Sequence, residues 1–277
     1  MTYYEKHQDI LKNAIKAVKE RSFFAQYPEH PKAYGPELAE AAVNNYNDML
    51  NHNFSDLLQD GSRAWVGAEN SPYTQESLGI KYPKYETEDL VNKAQSAFKS
   101  WKKISPKERA GILVEALEQV KNKFFEIAHA TMHTTGQSFM MSFQASGPHA
   151  NDRALEAIAT ALMELEHFPD QTMWEKNMGK FDIKVNKEWR AIPKGVSLAI
   201  GVSTFPVWNT VPGIFASLIT GNTVICKPHP LAILPMAIFI AEAQKAFKEC
   251  GVDPNILQLA ADEPSAPITK ELAEHPA

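Results

Sequence analysis

A lysine stands at the end of a short apolar run, and two prolines follow it closely. The run is Val224-Ile225-Cys226, and the sequence continues Lys227-Pro228-His229-Pro230. Proline cannot donate a backbone hydrogen bond, and the residue before a proline is pushed toward extended geometry, so Lys227 is predicted to end a strand. A cation fixed there could meet a phosphate or a ribose, although a lysine at the end of a strand is also commonly just solvated.

Two further strand ends are expected beside Lys227. From about Gly195 the chain alternates strand and helix three times, and the strand-like runs are VSLAIGVS, NTVICKPH and NILQLAAD. Runs that are apolar throughout are typical of a parallel sheet covered by helices on both faces, with right-handed crossovers. Ligands of open α/β sheets bind beyond the carboxyl ends of the strands. Thr204, Lys227 and Asp262 are therefore predicted to converge on one crevice, even though the chain has no G-x-G-x-x-G fingerprint.

The first 185 residues carry mainly helical periodicity. The stretches HQDILKNAIKAVKER and GPELAEAAVNNYNDML show helical spacing, whereas residues 63–83 read as two short strands joined by a loop. Thr87 is an expected N-cap, and Ser105–Glu108 forms an expected capping box that starts a long helix through Phe124-Phe125. A third helical region is predicted from Asp152 to His167.

These patterns predict two domains of an α/β protein. A helical extension covers residues 1–60. The second domain covers residues 61–277, with a helical part at 86–185 and parallel βα units at 195–277, in an incomplete Rossmann-like sheet with helices on both faces.

Composition excludes several partners. The 277 residues carry a net charge of −5 with no long single-sign block, which gives no electrostatic case for nucleic acid or an anionic membrane. No apolar stretch nears the roughly 18 residues of a membrane span, and the polar start has no signal-peptide core. The two cysteines are not in a metal-ligand spacing, so we expect a reducing cytoplasm and no disulfide framework.

Several motifs resemble one enzyme family. The segment PKGVSLAIGVSTFPVWNTVPGIFASLITGNTVICKPHP looks like the cofactor-binding half of the aldehyde dehydrogenase superfamily, in which a P-x-G-V strand leads to an Asn-Phe-Pro corner and an A-x-x-x-G-N-x-x-x-x-K-P segment follows. TTGQ stands where that family often has E-T-G-K. More narrowly, VGAENSPYTQESLGIKYP, MHTTGQSFMMSFQASGPHANDRALEAIA and GVSTFPVWN resemble the phenylacetic acid degradation proteins of the PaaN type.

The resemblance implies a site for NAD or NADP. Lys227 matches the family lysine whose ammonium reaches the adenosine ribose, and Pro230 falls where many NAD-preferring members have a glutamate that accepts from the ribose hydroxyls. Losing that carboxylate removes repulsion against a 2′-phosphate, so the resemblance makes NADP use expected alongside NAD. His229 could face that phosphate or be a turn histidine in water. Ser203 and Phe205 complete the implied cofactor contacts.

The resemblance also implies the position of an oxyanion donor. Thr204 falls on the family's catalytic Asn, whose side chain and a backbone N–H stabilise the oxyanion that forms when a thiolate attacks an aldehyde. A threonine hydroxyl can donate one hydrogen bond, but from a shorter arm. Asn209 is the fallback donor.

The family's nucleophilic cysteine and glutamate base have no counterpart in this sequence. Cys226 lies in a strand expected to be buried, which raises a thiol's pKa, and Cys250 closes a helix, where the dipole disfavours a thiolate. We therefore expect the chain to be the N-terminal part of a larger homo-oligomeric enzyme that oxidises an aldehyde or semialdehyde, CoA-linked ones included, in phenylacetate or other aromatic catabolism.

Two other functions stay open. The chain could be a non-catalytic nucleotide-binding or structural module of the same fold. It could also be a metal hydrolase that uses His129, His133 and His149, because His129 and His133 are four residues apart and can share a helical face. Against this, HATMH lacks the glutamate of an H-E-x-x-H motif.

Overall fold

Helices and strands follow one another in the order that the apolar patterns predicted, apart from one hairpin and the short helix Phe139–Ser146. The computed structural model describes residues 1–277. Its helices are α1 (Tyr3–Glu20), α2 (Pro36–Met49), α3 (Thr87–Trp101), α4 (Pro106–Val120), α5 (Phe124–Thr135), α6 (Phe139–Ser146), α7 (Pro148–Leu165), α8 (Val211–Ile219), α9 (Leu234–Glu249) and α10 (Thr269–Ala273). Its strands are β1 (Ala64–Val66), β2 (Tyr82–Lys84), β3 (Gln171–Asn177), β4 (Asp182–Glu188), β5 (Val196–Ile200), β6 (Thr223–Lys227) and β7 (Leu257–Leu259). No helix is both long enough and apolar enough to cross a membrane.

The predicted parallel sheet is present, with the strand order β5-β6-β7. Helices cover both of its faces, as the apolar strands required. Ile225 packs with Leu90 and Ala94 of α3, whereas Val224 and Cys226 belong to the large core that includes α8 and α9. Successive side chains of β6 point to opposite faces of the sheet, as in any strand. Because helices cover both faces, every residue of β6 is buried.

The outer edge of β7 is paired by a side chain instead of a strand. Gln59 Oε1 accepts from the Leu259 N–H at 2.7 Å, and Gln59 Nε2 donates to the Leu259 carbonyl at 3.1 Å. Gln244 Nε2 donates to the Leu257 carbonyl at 2.8 Å. Buried backbone groups need such partners, so the segment before β1 closes this edge of the sheet.

The first helix docks on α4 through a carboxylate and a glycine. Glu108 accepts from the N–H groups of Tyr3 and Tyr4, at 3.0 and 3.2 Å. A Cβ on Gly111 would lie 2.2 Å from the Tyr4 nitrogen, so only glycine lets the two backbones approach this closely. The predicted capping box at Ser105–Glu108 is thus half formed: Ser105 accepts from the Glu108 N–H, but the Glu108 carboxylate caps α1.

Two other helix boundaries differ from the prediction. Glu86, and not Thr87, is the N-cap of α3, and the buried Thr87 hydroxyl has no partner. The long helix expected through Phe124-Phe125 is interrupted by a 3-10 turn at Lys121–Lys123, after which α5 begins. The apolar periodicity is continuous there, so the pattern could not show the break.

The prediction that residues 86–185 form a helical part is wrong near the end of that range. Residues 171–188 form an antiparallel hairpin of β3 and β4 that is exposed along nearly its whole length. Gly179 at the turn has φ +83°, and its N–H donates to Asn177 Oδ1 at 2.8 Å. Two signals in the sequence favour this hairpin: Ile183 and Val185 alternate with polar residues, and a glycine stands at the turn.

Buried side chains of α3 and α4 hold the end of α8. Trp101 Nε1 donates to the Leu218 carbonyl and Arg109 Nε to the Ile219 carbonyl, both at 2.9 Å. Burial lowers the pKa of the Arg109 guanidinium to about 10. These bonds satisfy terminal carbonyls that a helix leaves unpaired, so the helical part of the chain holds the carboxyl end of α8 in place.

The close approach at Gly111 can be tested against a glycine with free space. Gly111→Ala should cost about 1 to 3 kcal/mol, because α1 must shift away from α4. Gly213→Ala in α8 is the matched control: a Cβ there meets nothing within 4 Å, and the gain in helix propensity is up to about 1 kcal/mol. Urea unfolding of both variants measures the difference, and equal stabilities would contradict the packing described here.

Candidate functional site

Three strand ends meet at one edge of the sheet, as predicted. In the parallel register Ile200 lies beside Lys227, and Cys226 lies beside Leu259. The segments that leave these ends, beginning at Gly201, Pro228 and Ala260, therefore lie side by side at the carboxyl edge of the sheet, the place for which the sequence predicted a crevice. This is where an open α/β sheet places its ligands.

Lys227 is buried in this crevice and forms an ion pair with Asp262. Its Nζ lies 2.6 Å from Asp262 Oδ1 and donates to the Pro228 carbonyl at 2.7 Å. Lys227 is 3% exposed and Asp262 is 1% exposed. The second carboxylate oxygen, Oδ2, accepts from the Ile268 N–H at 3.0 Å. Sequence reasoning placed both residues at this edge, but only the structure shows that they neutralise each other.

The short contact is an ion pair, not a well-directed hydrogen bond, since Asp262 Oδ1 has no hydrogen-bond partner by geometry. An ammonium has three N–H donors, and the partners of Lys227 leave at least one of them free. Nearby, the buried Thr210 hydroxyl has no partner either. Unused polar groups at a crevice are what a polar ligand such as a nucleotide would occupy, so these residues fit the cofactor that the sequence implied.

Glycine keeps the first loop close to the second. The Gly201 N–H donates to the Lys227 carbonyl at 2.8 Å. A Cβ on Gly201 would lie 3.1 Å from Pro228 Cα and 3.2 Å from Thr210 Oγ1. The loop that follows β5 is therefore fixed against the end of β6 by a contact tight enough to disfavour a side chain.

The two candidate oxyanion donors, Thr204 and Asn209, lie in the turn between β5 and α8. Both are exposed, and neither side chain forms a hydrogen bond within the chain. Gln137 Nε2 donates to the Thr204 carbonyl, which ties the TTGQ segment to this turn. Ser203 and Phe205 are half-buried beside them. The free hydroxyl and the free amide are both available as donors.

The loop after Lys227 is a tight turn. His229 Nδ1 accepts from the Leu231 N–H at 3.2 Å, and the His229 carbonyl accepts from the Ala232 N–H at 2.9 Å. His229 and Pro230 are both half-buried. The ring of His229 therefore stabilises the turn through one nitrogen, while its Nε2 has no partner in the chain.

A buried glutamate that sequence reasoning missed fixes the end of this loop. Glu69 Oε1 accepts from the N–H groups of Ile233 and Leu234, at 2.5 and 3.0 Å, and Oε2 accepts from the Tyr82 hydroxyl at 2.5 Å. Burial raises the pKa of the Glu69 carboxyl, and these three hydrogen bonds oppose that rise. Glu69 thus caps α9 from a distant part of the chain, and nothing local in VGAEN could have revealed it.

Neither cysteine has the environment of a nucleophile. Cys226 is fully buried in β6, and burial raises its pKa to about 12, against a smaller opposing effect of Lys227. Burial likewise raises the pKa of Cys250, which is half-buried at the end of α9. At neutral pH both side chains are thiols, which are poor nucleophiles.

The histidines of the hydrolase hypothesis are not brought together as a ligand set. His133 stacks on Tyr46 with the ring centroids 4.8 Å apart, and its Nδ1 lies 2.8 Å from Ser71 Oγ. His129 also stacks on Tyr46, at 6.1 Å, whereas His149 pairs with Glu29 at 3.0 Å. No group of three or more histidine, cysteine, aspartate or glutamate side chains in the chain could hold a metal ion.

Comparison with known proteins points to one family. The sequence profile of the aldehyde dehydrogenase family matches residues 67–277. The crystal structure of an NAD-dependent aldehyde dehydrogenase from Burkholderia multivorans is 42% identical and superposes with a TM-score of 0.95, covering 100% of this chain and 50% of that one. A 1-pyrroline-5-carboxylate dehydrogenase from Thermus with bound NAD shares the fold, at 19% identity and a TM-score of 0.68, over 92% of this chain and 48% of that one.

Curated relatives give the same family at lower identity. The 1-pyrroline-5-carboxylate dehydrogenase 1 of Halalkalibacterium halodurans is 26% identical over 68% of this chain and 34% of its own length. The benzaldehyde dehydrogenase YfmT of Bacillus subtilis is 24% identical over 79% of this chain and 42% of its own length. The chain therefore spans between a third and a half of the length of these four proteins.

Removing the Glu69 carboxylate should loosen the start of α9. Glu69→Leu leaves two backbone N–H groups and the Tyr82 hydroxyl without a partner, so we expect a loss of about 2 to 5 kcal/mol in the free energy of unfolding. Glu69→Gln is the matched control and should cost less, because its amide oxygen can still accept from both N–H groups. Urea unfolding and amide hydrogen exchange over residues 231–236 measure the effect. The capping role is wrong if the two variants behave alike.

Proposed function

Because the chain belongs to the aldehyde dehydrogenase family, we propose that the protein oxidises an aldehyde or a semialdehyde to the acid and transfers the hydride to NAD or NADP. The observation that carries the proposal lies at the carboxyl edge of the sheet, where the Lys227 ammonium keeps an unused N–H and the Lys227 carbonyl accepts from the Gly201 N–H, at the start of the loop of the candidate oxyanion donors. The cofactor supplies the hydride acceptor, and this chain supplies the groups that hold it.

The residues have separate roles in this proposal. The free N–H of Lys227 donates to a hydroxyl of the adenosine ribose. The Thr204 hydroxyl, or the Asn209 amide, donates to the carbonyl oxygen of the aldehyde as that oxygen gains negative charge, which lowers the barrier to attack at the carbon. Gln137 holds the backbone carbonyl of Thr204, so the donor is positioned before substrate binds.

The substrate we propose is an intermediate of phenylacetate or other aromatic catabolism, CoA-linked aldehydes included. The support is the resemblance of VGAENSPYTQESLGIKYP and GVSTFPVWN to the proteins of the PaaN type. Among the relatives, YfmT is named as a benzaldehyde dehydrogenase. The same proposal includes a homo-oligomer that works in the cytoplasm.

A non-catalytic nucleotide-binding or structural module is the second candidate, and the cysteines favour it. Aldehyde oxidation in this family needs a thiolate, and burial raises the pKa of both Cys226 and Cys250. A chain that binds the nucleotide but has no nucleophile would hold the cofactor without oxidising an aldehyde.

The two candidates predict different rates. The protein expressed from its complete reading frame should reduce the cofactor when it is given aliphatic, aromatic or CoA-linked aldehydes, followed by absorbance of the reduced nicotinamide. Residues 1–277 alone should give no turnover, because loss of a covalent nucleophile removes a factor on the order of a million in a serine protease. Turnover by residues 1–277 that disappears in Cys226→Ser or Cys250→Ser would show that one of these thiols is the nucleophile. No turnover from the complete frame favours the module.

Cofactor binding should depend on Lys227. Lys227→Ala should weaken nucleotide binding by about 1 to 3 kcal/mol, the scale of a charge-assisted hydrogen bond. Lys227→Gln keeps a donor for Asp262 and checks that the loss is not caused by misfolding. Lys270→Ala is the control, since that side chain is 84% exposed. Titration with both cofactors measures the effect, and unchanged affinity in both Lys227 variants would remove the lysine from the site.

A further inference from the structure

The ion pair in the crevice bears on which of the two cofactors the site accepts. We propose that Asp262 is a specificity-determining residue that makes this crevice select NAD over NADP. The inference rests on the proposed function, because it takes the ligand of Lys227 to be the adenosine ribose. It reverses the expectation that Pro230 alone gave, which was NADP use.

Charge is the first reason. NADP differs from NAD by a 2′-phosphate, which carries nearly two negative charges at neutral pH, where NAD has a neutral hydroxyl. Asp262 Oδ1 lies 2.6 Å from the Lys227 ammonium, so the pair has no net charge to offer a phosphate. Both side chains are almost fully buried, and a carboxylate in such surroundings repels a nearby anion more strongly than it would in water.

Hydrogen-bond supply is the second reason. The ammonium donates to the Pro228 carbonyl at 2.7 Å and forms an ion pair with the Asp262 carboxylate at 2.6 Å, so at least one of its three N–H groups remains. A ribose hydroxyl needs one donor and can itself donate to a carboxylate. A phosphate can only accept, so it would face one donor and one repelling oxygen.

Of the two other features of this edge that could attract an anion, one is fully occupied and the other in part. The start of α9 could attract an anion, but Glu69 already accepts from the Ile233 and Leu234 N–H groups. His229 Nδ1 accepts from the Leu231 N–H, which leaves Nε2 as the only ring nitrogen that could donate to a phosphate.

Asp262 thus supplies from the end of β7 the carboxylate that Pro230 cannot supply from the loop after β6. In dinucleotide-binding sheets an acidic side chain near the ribose favours the hydroxyl form of the cofactor. The residue is contributed by a different strand here, but it acts on the same lysine.

The test is a charge-balance series in the protein from its complete reading frame. Each variant is titrated with NAD and NADP, and with adenosine 5′-monophosphate and adenosine 2′,5′-bisphosphate as probes of the 2′-phosphate alone. The wild-type pair carries no net charge. Asp262→Asn gives the pair a charge of +1, Lys227→Gln gives −1, and the double variant Lys227→Gln/Asp262→Asn restores zero.

We expect the wild type to bind NAD at least about tenfold more tightly than NADP, since a pair of charges in partly buried surroundings easily exceeds the free energy of one decade in affinity. Asp262→Asn should shift the NADP-to-NAD affinity ratio toward NADP by about tenfold or more, and the bisphosphate should follow NADP. The double variant should return the ratio toward the wild-type value.

Asp262→Asn leaves a buried lysine without its counter-ion and can fail to fold. In that case Lys227→Gln is compared with the double variant, because this pair isolates the charge of Asp262 while position 227 stays neutral. The double variant should then favour NADP more than Lys227→Gln does. A wild type that prefers NADP, or a ratio unaffected by the charge at position 262, overturns the inference. A wild type that binds neither cofactor overturns the proposed function instead.

Discussion

One buried carboxylate joins parts of the chain that are distant in sequence. Glu69 lies in the segment after β1. Its carboxylate accepts from the Tyr82 hydroxyl of β2 and from the first N–H groups of α9. A carboxylate this deeply buried is stable only while its oxygens are hydrogen-bonded, so it requires these three partners to stay together. Because α9 begins at Leu234, the same bonds hold the far end of the loop that carries Lys227, His229 and Pro230.

The charged groups of the crevice are likewise paired with other groups of the chain. Lys227 and Asp262 pair with each other at the ends of β6 and β7, and Glu69 occupies the start of α9. Removing either member of a buried pair is costly, because the remaining charge has no water to compensate it. The site is therefore electrically balanced before any ligand arrives, which favours recognition of hydroxyl groups over recognition of extra phosphates.

Side chains from outside the sheet hold the elements that surround the site. Arg109 and Trp101 hold the carboxyl end of α8, and Gln59 closes the outer edge of β7. Gly201 then brings the loop after β5 against the end of β6. The helical part of the chain thus holds the carboxyl end of α8, and Gln137 ties it to the loop after β5.

The sequence by itself determined the parallel sheet, its carboxyl edge and the place of Lys227, because apolar runs and the Pro228-Pro230 pair are local signals whose period and backbone limits are fixed. It also determined the family, through motifs that stand close together in the chain. Tertiary structure alone decided the Lys227–Asp262 contact, the cap that Glu69 gives to α9, and the use of Glu108 on α1 in place of its own capping box. These depend on which side chains meet across as many as 165 positions, and no local pattern encodes such a distance. The hairpin of β3 and β4 lies between the two cases, since its alternation and turn glycine were present in the sequence but were outweighed by the helical pattern around them.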